Sequence, residues 1–189
     1  MGWFLLIGCG GIVLLALVVG FWLVSIYNTL ARGKVAVQGA WADIDVQLKR
    51  RHDLIPNLVE TVKGYAKHER DALEAVIAAR ARAVSAGPIE DKIAAEGGLS
   101  SALGRLMAIA EAYPDLKANT NFMELQRELT STENIISQAR TGYNTTTGGY
   151  NQTLVVFPTN IVANLFGFRA MPFFEVTEAN ERNAPQVKF

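Results

Sequence analysis

From Trp3 to Tyr27 the chain reads WFLLIGCGGIVLLALVVGFWLVSIY, and its first ionised side chain is Arg32. At about 1.5 Å rise per residue, a helix of this length crosses a hydrocarbon core of about 30 Å even when tilted. A membrane-spanning helix over residues 1–30 is the expectation. A cleaved signal peptide carries a basic n-region and a shorter apolar stretch. MGWFLL carries no base, so the span is expected to be retained although Thr29-Leu30-Ala31 is a tolerable cleavage sequence. Leu6-Ile7-Gly8-Cys9 is similar to a lipoprotein box, but the long apolar run follows it instead of preceding it, and Cys9 reads as a small packing residue. Trp3, Trp22 and Tyr27 suit aromatic belts at the interfaces. Nothing basic precedes the span, whereas Arg32 and Lys34 follow closely and Lys49, Arg50 and Arg51 somewhat later. This asymmetry predicts a cytoplasmic main domain with the N-terminus outside.

Of 189 residues, about 160 lie beyond the span, enough for one domain with its own core. Eighteen bases balance eighteen acids, so no global field gathers polyanions, and nucleic acid is not an expected partner. The single cysteine forms no intramolecular disulfide and no zinc cluster.

The remainder is patterned as helix, and the predicted class is all-α. Between about 35 and 84, Trp41, Leu48, Ile55, Val62 and Val76 fall on one seven-residue grid, with Ile44, Leu58, Tyr65 and Leu73 near its intermediate positions. Pro56 and Glu69 interrupt the grid. Pro56 cannot donate to the His52 carbonyl, which predicts a kinked helix, or one that restarts at Leu54 with Asp53 as its cap. Residues 85–100, with Gly87-Pro88 and Gly97-Gly98, read as a connection holding at most one short helical turn. A helix is expected from Ser101 to Ala112, and another from Asn121, which with Glu124 has capping-box spacing. The last grid runs Phe122, Leu125, Leu129, Thr132, Ile136, Ala139, Tyr143, Thr146, Tyr150, Thr153, Phe157. It passes through TGYNTTTGGYNQT, where composition alone favours a loop, and periodicity predicts helix. Six phenylalanines between residues 157 and 189, Phe173 and Phe174 among them, require burial on the bundle, a partner or the bilayer. The expected organisation is an anchor (1–30), a helical bundle (31–170) and a tail (171–189).

The decad KRRHDLIPNL (49–58) holds the only concentration of potential chemistry. His52 and Asp53 are adjacent and point about 100° apart on a helix, so they do not face each other. His52 reads as a boundary residue. Lys49 meets Asp45 and Asp53 at four-residue spacing, Arg50 falls near Asn57 and Arg51 near Gln47, as solvated or inter-helix pairs worth about 0.2–0.5 kcal/mol each if exposed. Neither histidine has a glutamate three residues before it, as a di-metal bundle requires, and His68-Glu69 lacks the second histidine of a zinc-protease helix. No nucleophile elbow, phosphate loop or dinucleotide fingerprint occurs. No catalytic residue, cofactor or metal is therefore expected.

The passages AWADIDVQLKRRHDLIPNLVETVKGYAKHER, YPDLKAN, NFMELQRELTSTEN, YNTTTGGYN, FPTNIVANLFGF and terminal PQVKF resemble, in order, the LemA family of bacterial membrane proteins. The resemblance runs from Tyr27 to Phe189. It implies an N-terminal transmembrane helix followed by a largely cytoplasmic antiparallel bundle of long helices, in the bacterial inner membrane. Through the family's magnetosome relatives it also implies a role in membrane organisation. It supplies no catalytic residues. The Gly/Thr-rich TGYNTTTGGYN is more permissive than the family's usual stretch. The preferred expectation is a non-enzymatic scaffold in the lipid bilayer that forms homo-oligomers through its heptad faces and recruits other membrane proteins. Its interaction candidates are Asp45, Arg50, Arg51, His52, Asp53, Pro56, Tyr143, Tyr150, Phe173 and Phe174. The alternatives are a lipid- or small-ligand-binding bundle using Phe157 to Phe174, and a hydrolase using the 45–60 polar cluster with Asp45 or Glu60.

Overall fold

The computed structural model describes residues 2–66 and 68–175, with side chains from Gly10 onward. The side chains of Trp3 and Cys9, and the terminal PQVKF, lie outside the described residues. Six helices follow in order: α1 (Gly2–Tyr65), α2 (Arg70–Ser85), α3 (Ile89–Ala110), α4 (Pro114–Lys117), α5 (Thr120–Val155) and α6 (Thr159–Leu165). There is no strand among the described residues, and the chain is all-α. Its contacts divide into two compact units, one comprising residues up to Trp41 together with Tyr143–Met171, the other Ala42–Gly142 together with the chain from Pro172.

The Ala42–Gly142 unit is an antiparallel four-helix arrangement. Arg80 on α2 reaches His52, and since α2 starts only five residues after α1 ends, it runs back along α1. On α3, Lys92 meets Asp45 and Ser100 meets Arg51, so α3 ascends beside α1. Asn119 meets Tyr65, and Glu128 meets Arg50, so α5 descends. Short connections make such neighbours antiparallel. Between the helices lie Ile55, Leu58, Val62, Val76, Leu99, Leu106, Leu116 and Phe122, all essentially buried. Each contributes about 1.5–3 kcal/mol of apolar burial.

Four boundaries differ from the sequence reading. α1 is unbroken through Pro56 and stops at Tyr65, so no helix restarts at Leu54, and the real break precedes Arg70. Gly64 weakens the end of α1, and the charged Glu69-Arg70 region opens α2 on a new face. α3 begins at Ile89 and continues through Gly97-Gly98, where a connection was expected. The glycines cost roughly 1 kcal/mol each in a helix, and the burial of Leu99, Leu106 and Ala110 on the same helix outweighs that. The cap of α5 is Asn119, not Asn121: its Oδ1 accepts the Phe122 N–H at 3.0 Å. α5 itself runs uninterrupted through the Gly/Thr-rich stretch, as the periodicity predicts.

In the other unit, α6 folds onto α1. Leu30 is fully buried against Val162 and Ala163, with Leu23, Ile26, Leu154 and Phe168 around them. α6 ends at Leu165 and its chain turns at Gly167, whose φ of 71° suits a residue without Cβ. The Phe168 N–H then donates back to the Ala163 carbonyl at 2.9 Å, closing a Schellman-type terminus. That turn delivers Phe166 and Phe168 edge-on to Tyr27, with ring centroids 5.0 and 5.5 Å away. The Asn151 amide donates to the Met171 carbonyl and accepts the Met171 N–H, both at 2.9 Å, tying down the chain after α6.

Candidate functional site

Arg51 lies three residues after Leu48 and four before Ile55, which places it on the apolar stripe of α1. It is 2% exposed. Of the solvated and inter-helix alternatives read from sequence, Arg51 takes the inter-helix one, since a stripe position faces the neighbouring helices whatever its chemistry. Glu96 occupies the equivalent place on α3, three residues before Leu99, and is likewise buried. Arg51 Nη2 pairs with Glu96 Oε2, while Nη1 donates to Glu133 Oε2 of α5 at 2.6 Å and to Ser100 Oγ at 3.1 Å. One guanidinium therefore joins three helices. The second Glu96 oxygen, Oε1, lies 2.6 Å from His52 Nε2. With Glu96 ionised, Nε2 must carry the proton and donate it.

Burial on its own would raise the Glu96 pKa. The His52 hydrogen bond and the Arg51 charge outweigh that, and the carboxyl is held below its ordinary value. A depressed carboxylate stabilises the fold above the pKa it has in the unfolded chain and loses that contribution as pH falls through the folded value. The window therefore lies below about pH 4.3, the ordinary glutamate value. Denaturant midpoints of the full chain should hold from neutrality to that point and then fall, and Glu96→Gln should show a weaker acid decline from a lower starting midpoint. Parallel acid limbs for the two proteins would remove Glu96 from this role.

A polar cavity of about 300 Å³ adjoins the cluster, lined by Asp45, Lys49, His52, Arg80, Lys92 and Glu96 among others. Its charges pair with one another: Lys92 with Asp45 at 2.8 Å and Lys49 with Asp53 at 3.4 Å. Arg80 Nε donates to the His52 carbonyl at 2.7 Å. That carbonyl is the one Pro56 leaves without its helical donor, so Arg80 supplies what proline lacks, and α1 continues. No serine, threonine, cysteine or tyrosine lines the cavity. Among the described residues no group of three or more His, Cys, Asp and Glu is placed to hold a metal ion.

The candidates named from sequence thus scatter. Arg51 and His52 meet in the buried cluster. Asp45 and Asp53 stand at the exposed rim, Arg50 pairs with Glu128 at the surface, and Pro56 is exposed. In the other unit, buried Tyr143 packs edge-on to Trp41 with centroids 5.5 Å apart. Tyr150 is buried against Gly33, where a Cβ would come within 3.0 Å of its ring. The Tyr150 hydroxyl is buried without a hydrogen-bond partner, and burial raises its pKa. Phe174 is buried beneath Arg140, whose guanidinium carbon sits 4.4 Å from the ring centroid. Phe173 remains partly exposed. Sequence reasoning missed Glu96, Glu133, Ser100, Arg80 and Lys92. For Glu96 a signal existed, an acid three residues from Leu99 on a helical stripe, but the following glycines disguised the helix.

An all-α chain with one long apolar N-terminal helix and a four-helix unit closed around a buried ion cluster defines a class of helical-bundle proteins. The chain belongs to the LemA family, whose profile matches residues 40–189. It is 26% identical over 181 residues to "Magnetosome protein MamQ 2" of Paramagnetospirillum magneticum, covering 82% of this chain and 66% of that protein. It is 25% identical over 181 residues to "Magnetosome protein MamQ" of Magnetospirillum gryphiswaldense, with the same coverage. With "Protein LemA" of Metamycoplasma hominis it shares 26% identity over 156 residues, covering 80% of this chain and 69% of that protein. The chain therefore spans just under two thirds of the length of the MamQ proteins it matches.

Proposed function

We propose that the chain is a non-enzymatic, single-pass membrane protein whose bundle self-associates as a scaffold at the cytoplasmic face of a bacterial inner membrane. The observation that carries this reading is the closure of the buried cluster. Both terminal nitrogens of Arg51 and both oxygens of Glu96 are engaged with protein partners, with Arg51 Nε left unmet, which supports a polar centre that fixes helices. The apolar window of α1 supports the anchor, since no residue of it is fully buried by the rest of the described chain. Arg32 and Lys34 beside it favour the cytoplasmic orientation. The magnetosome relatives are consistent with a membrane-organising role.

Self-association needs an exposed apolar surface. Trp41, Leu48, Ile55, Val62 and Val76 are all buried within the chain, so these heptad residues face no second copy. The outer face of α2 instead leaves Ile77 and Val84, one heptad apart, 52% and 57% exposed. Ile77→Glu with Val84→Glu should convert the full-length particle in native-like membrane discs from oligomer to monomer, read by mass measurement, with helicity unchanged. A wild-type particle that is monomeric, with no copy-to-copy crosslink in membranes, would remove self-association from this reading.

A further inference from the structure

The chain carries no charged residue from Thr141 to Phe168, and the end of this stretch exposes what a soluble surface hides. Val155, Val156, Phe157, Ile161, Leu165 and Phe166 are all exposed, Phe157 and Leu165 by 75% and 72%. Phe157 continues the stripe that buries Phe122, Leu129, Ile136, Tyr143 and Tyr150, yet it lies outside any core. Six large apolar side chains on one short turn and helix exceed the scattered apolar exposure normal for a soluble protein.

The location of the patch identifies its occupant. α6 packs beside Leu23, Ile26 and Leu30, and Phe166 and Phe168 lie against Tyr27; all four α1 residues belong to the uncharged run before Arg32. We infer that the α5–α6 tip is a second membrane element, a wedge that dips into the lipid leaflet at the Arg32 end of the anchor. This inference rests on the membrane-anchor reading above. From Leu23 to Leu30 the helix rises about 10 Å, close to the about 5–10 Å to which interfacial helices sink. Tyr27, Phe166 and Phe168 form an aromatic cluster at that level, as membrane interfaces favour. Exposed Arg169 follows directly after Phe168, and Arg32 and Lys34 after the anchor, so both apolar elements are followed by bases suited to lipid phosphates. Exposed Asn164 stands between the apolar Ile161 and Leu165, which suits a segment lying in the interface rather than spanning the bilayer. The wedge occupies area in one leaflet only, so its insertion expands that leaflet against the other.

The experiment uses the full-length chain in lipid discs, with Cys9→Ser and single cysteines carrying an environment-sensitive dye. Phe157→Cys and Leu165→Cys report the tip, Leu17→Cys the anchor, and Thr130→Cys an exposed bundle position. Tip probes are expected to emit to the blue of the Thr130 probe, to be quenched by lipids spin-labelled near the top of the acyl chains, and to resist aqueous iodide. Leu17 probes should be quenched by labels at the chain ends. Tip probes open to iodide while Leu17 is quenched by lipid would overturn the wedge and leave the anchor standing. A Leu17 probe open to iodide would overturn the anchor and the wedge together. Tip probes shielded from both quenchers, with a 157-to-157 crosslink, would give the patch to a second copy and overturn the wedge.

Discussion

Arg51→Ala is expected to destabilise the bundle by about 3–5 kcal/mol, the scale of removing one member of a buried ion pair. The loss comes chiefly from what remains: Glu96 would stay 3% exposed with a full charge and only His52 to meet it. Glu133→Ala should cost far less, because Glu133 is 48% exposed at its side chain and its pairing is screened by water. The contrast between these variants tests the origin of the effect. Arg51→Met combined with Glu96→Leu removes both charges and retains volume, so it should recover most of the stability lost by Arg51→Ala. Denaturant unfolding of the full chain in micelles, followed by circular dichroism, gives all three values. Equal losses for Arg51→Ala and Glu133→Ala, or no recovery in the double variant, would show that the cluster does not clasp the helices in this way.

The scale of that effect explains what sequence could and could not reveal. Leu48, Ile55, Leu58 and Val62 declare a helix and its buried face because spacing alone fixes both. The same rule extends to the Gly/Thr-rich part of α5, where Tyr143 and Tyr150 occupy core positions despite weak local propensity. Charge on the stripe is ambiguous. Arg51 on α1 and Glu96 on α3 are charges on buried faces, and only their meeting across helices turns two unfavourable burials into a pair. Nothing local encodes that meeting, since it depends on the register of α1 against α3. Gly97-Gly98 suggested a connection for the opposite reason: local preference was clear, and the packing of Leu99 and Leu106 overrode it. At the α5–α6 tip the phenylalanines signalled burial, yet Phe157 and Phe166 stand exposed in the fold, and their place beside Tyr27 and Leu30 is what favours lipid as their surroundings.

Arg80→Met should cost about 1–3 kcal/mol, the penalty for leaving a buried backbone acceptor unmet. The argument begins with Pro56, which has no N–H to offer the His52 carbonyl four residues earlier. Arg80 Nε occupies that place at 2.7 Å, and methionine retains its apolar stem without the donor. Pro56→Ala restores the helical N–H, and alanine is also the stronger helix former. In the Pro56→Ala background, therefore, Arg80→Met should become nearly neutral, because the carbonyl has a second donor. A double-mutant cycle isolates this coupling, and its expected sign is specific: the proline creates the requirement for the arginine. An additive cycle, with Arg80→Met equally costly in both backgrounds, would mean that Arg80 supports the bundle by packing or general electrostatics, and the continuity of α1 through Pro56 would need a different cause. A coupled cycle would establish α2 as the partner that lets a proline-containing helix run on to Tyr65.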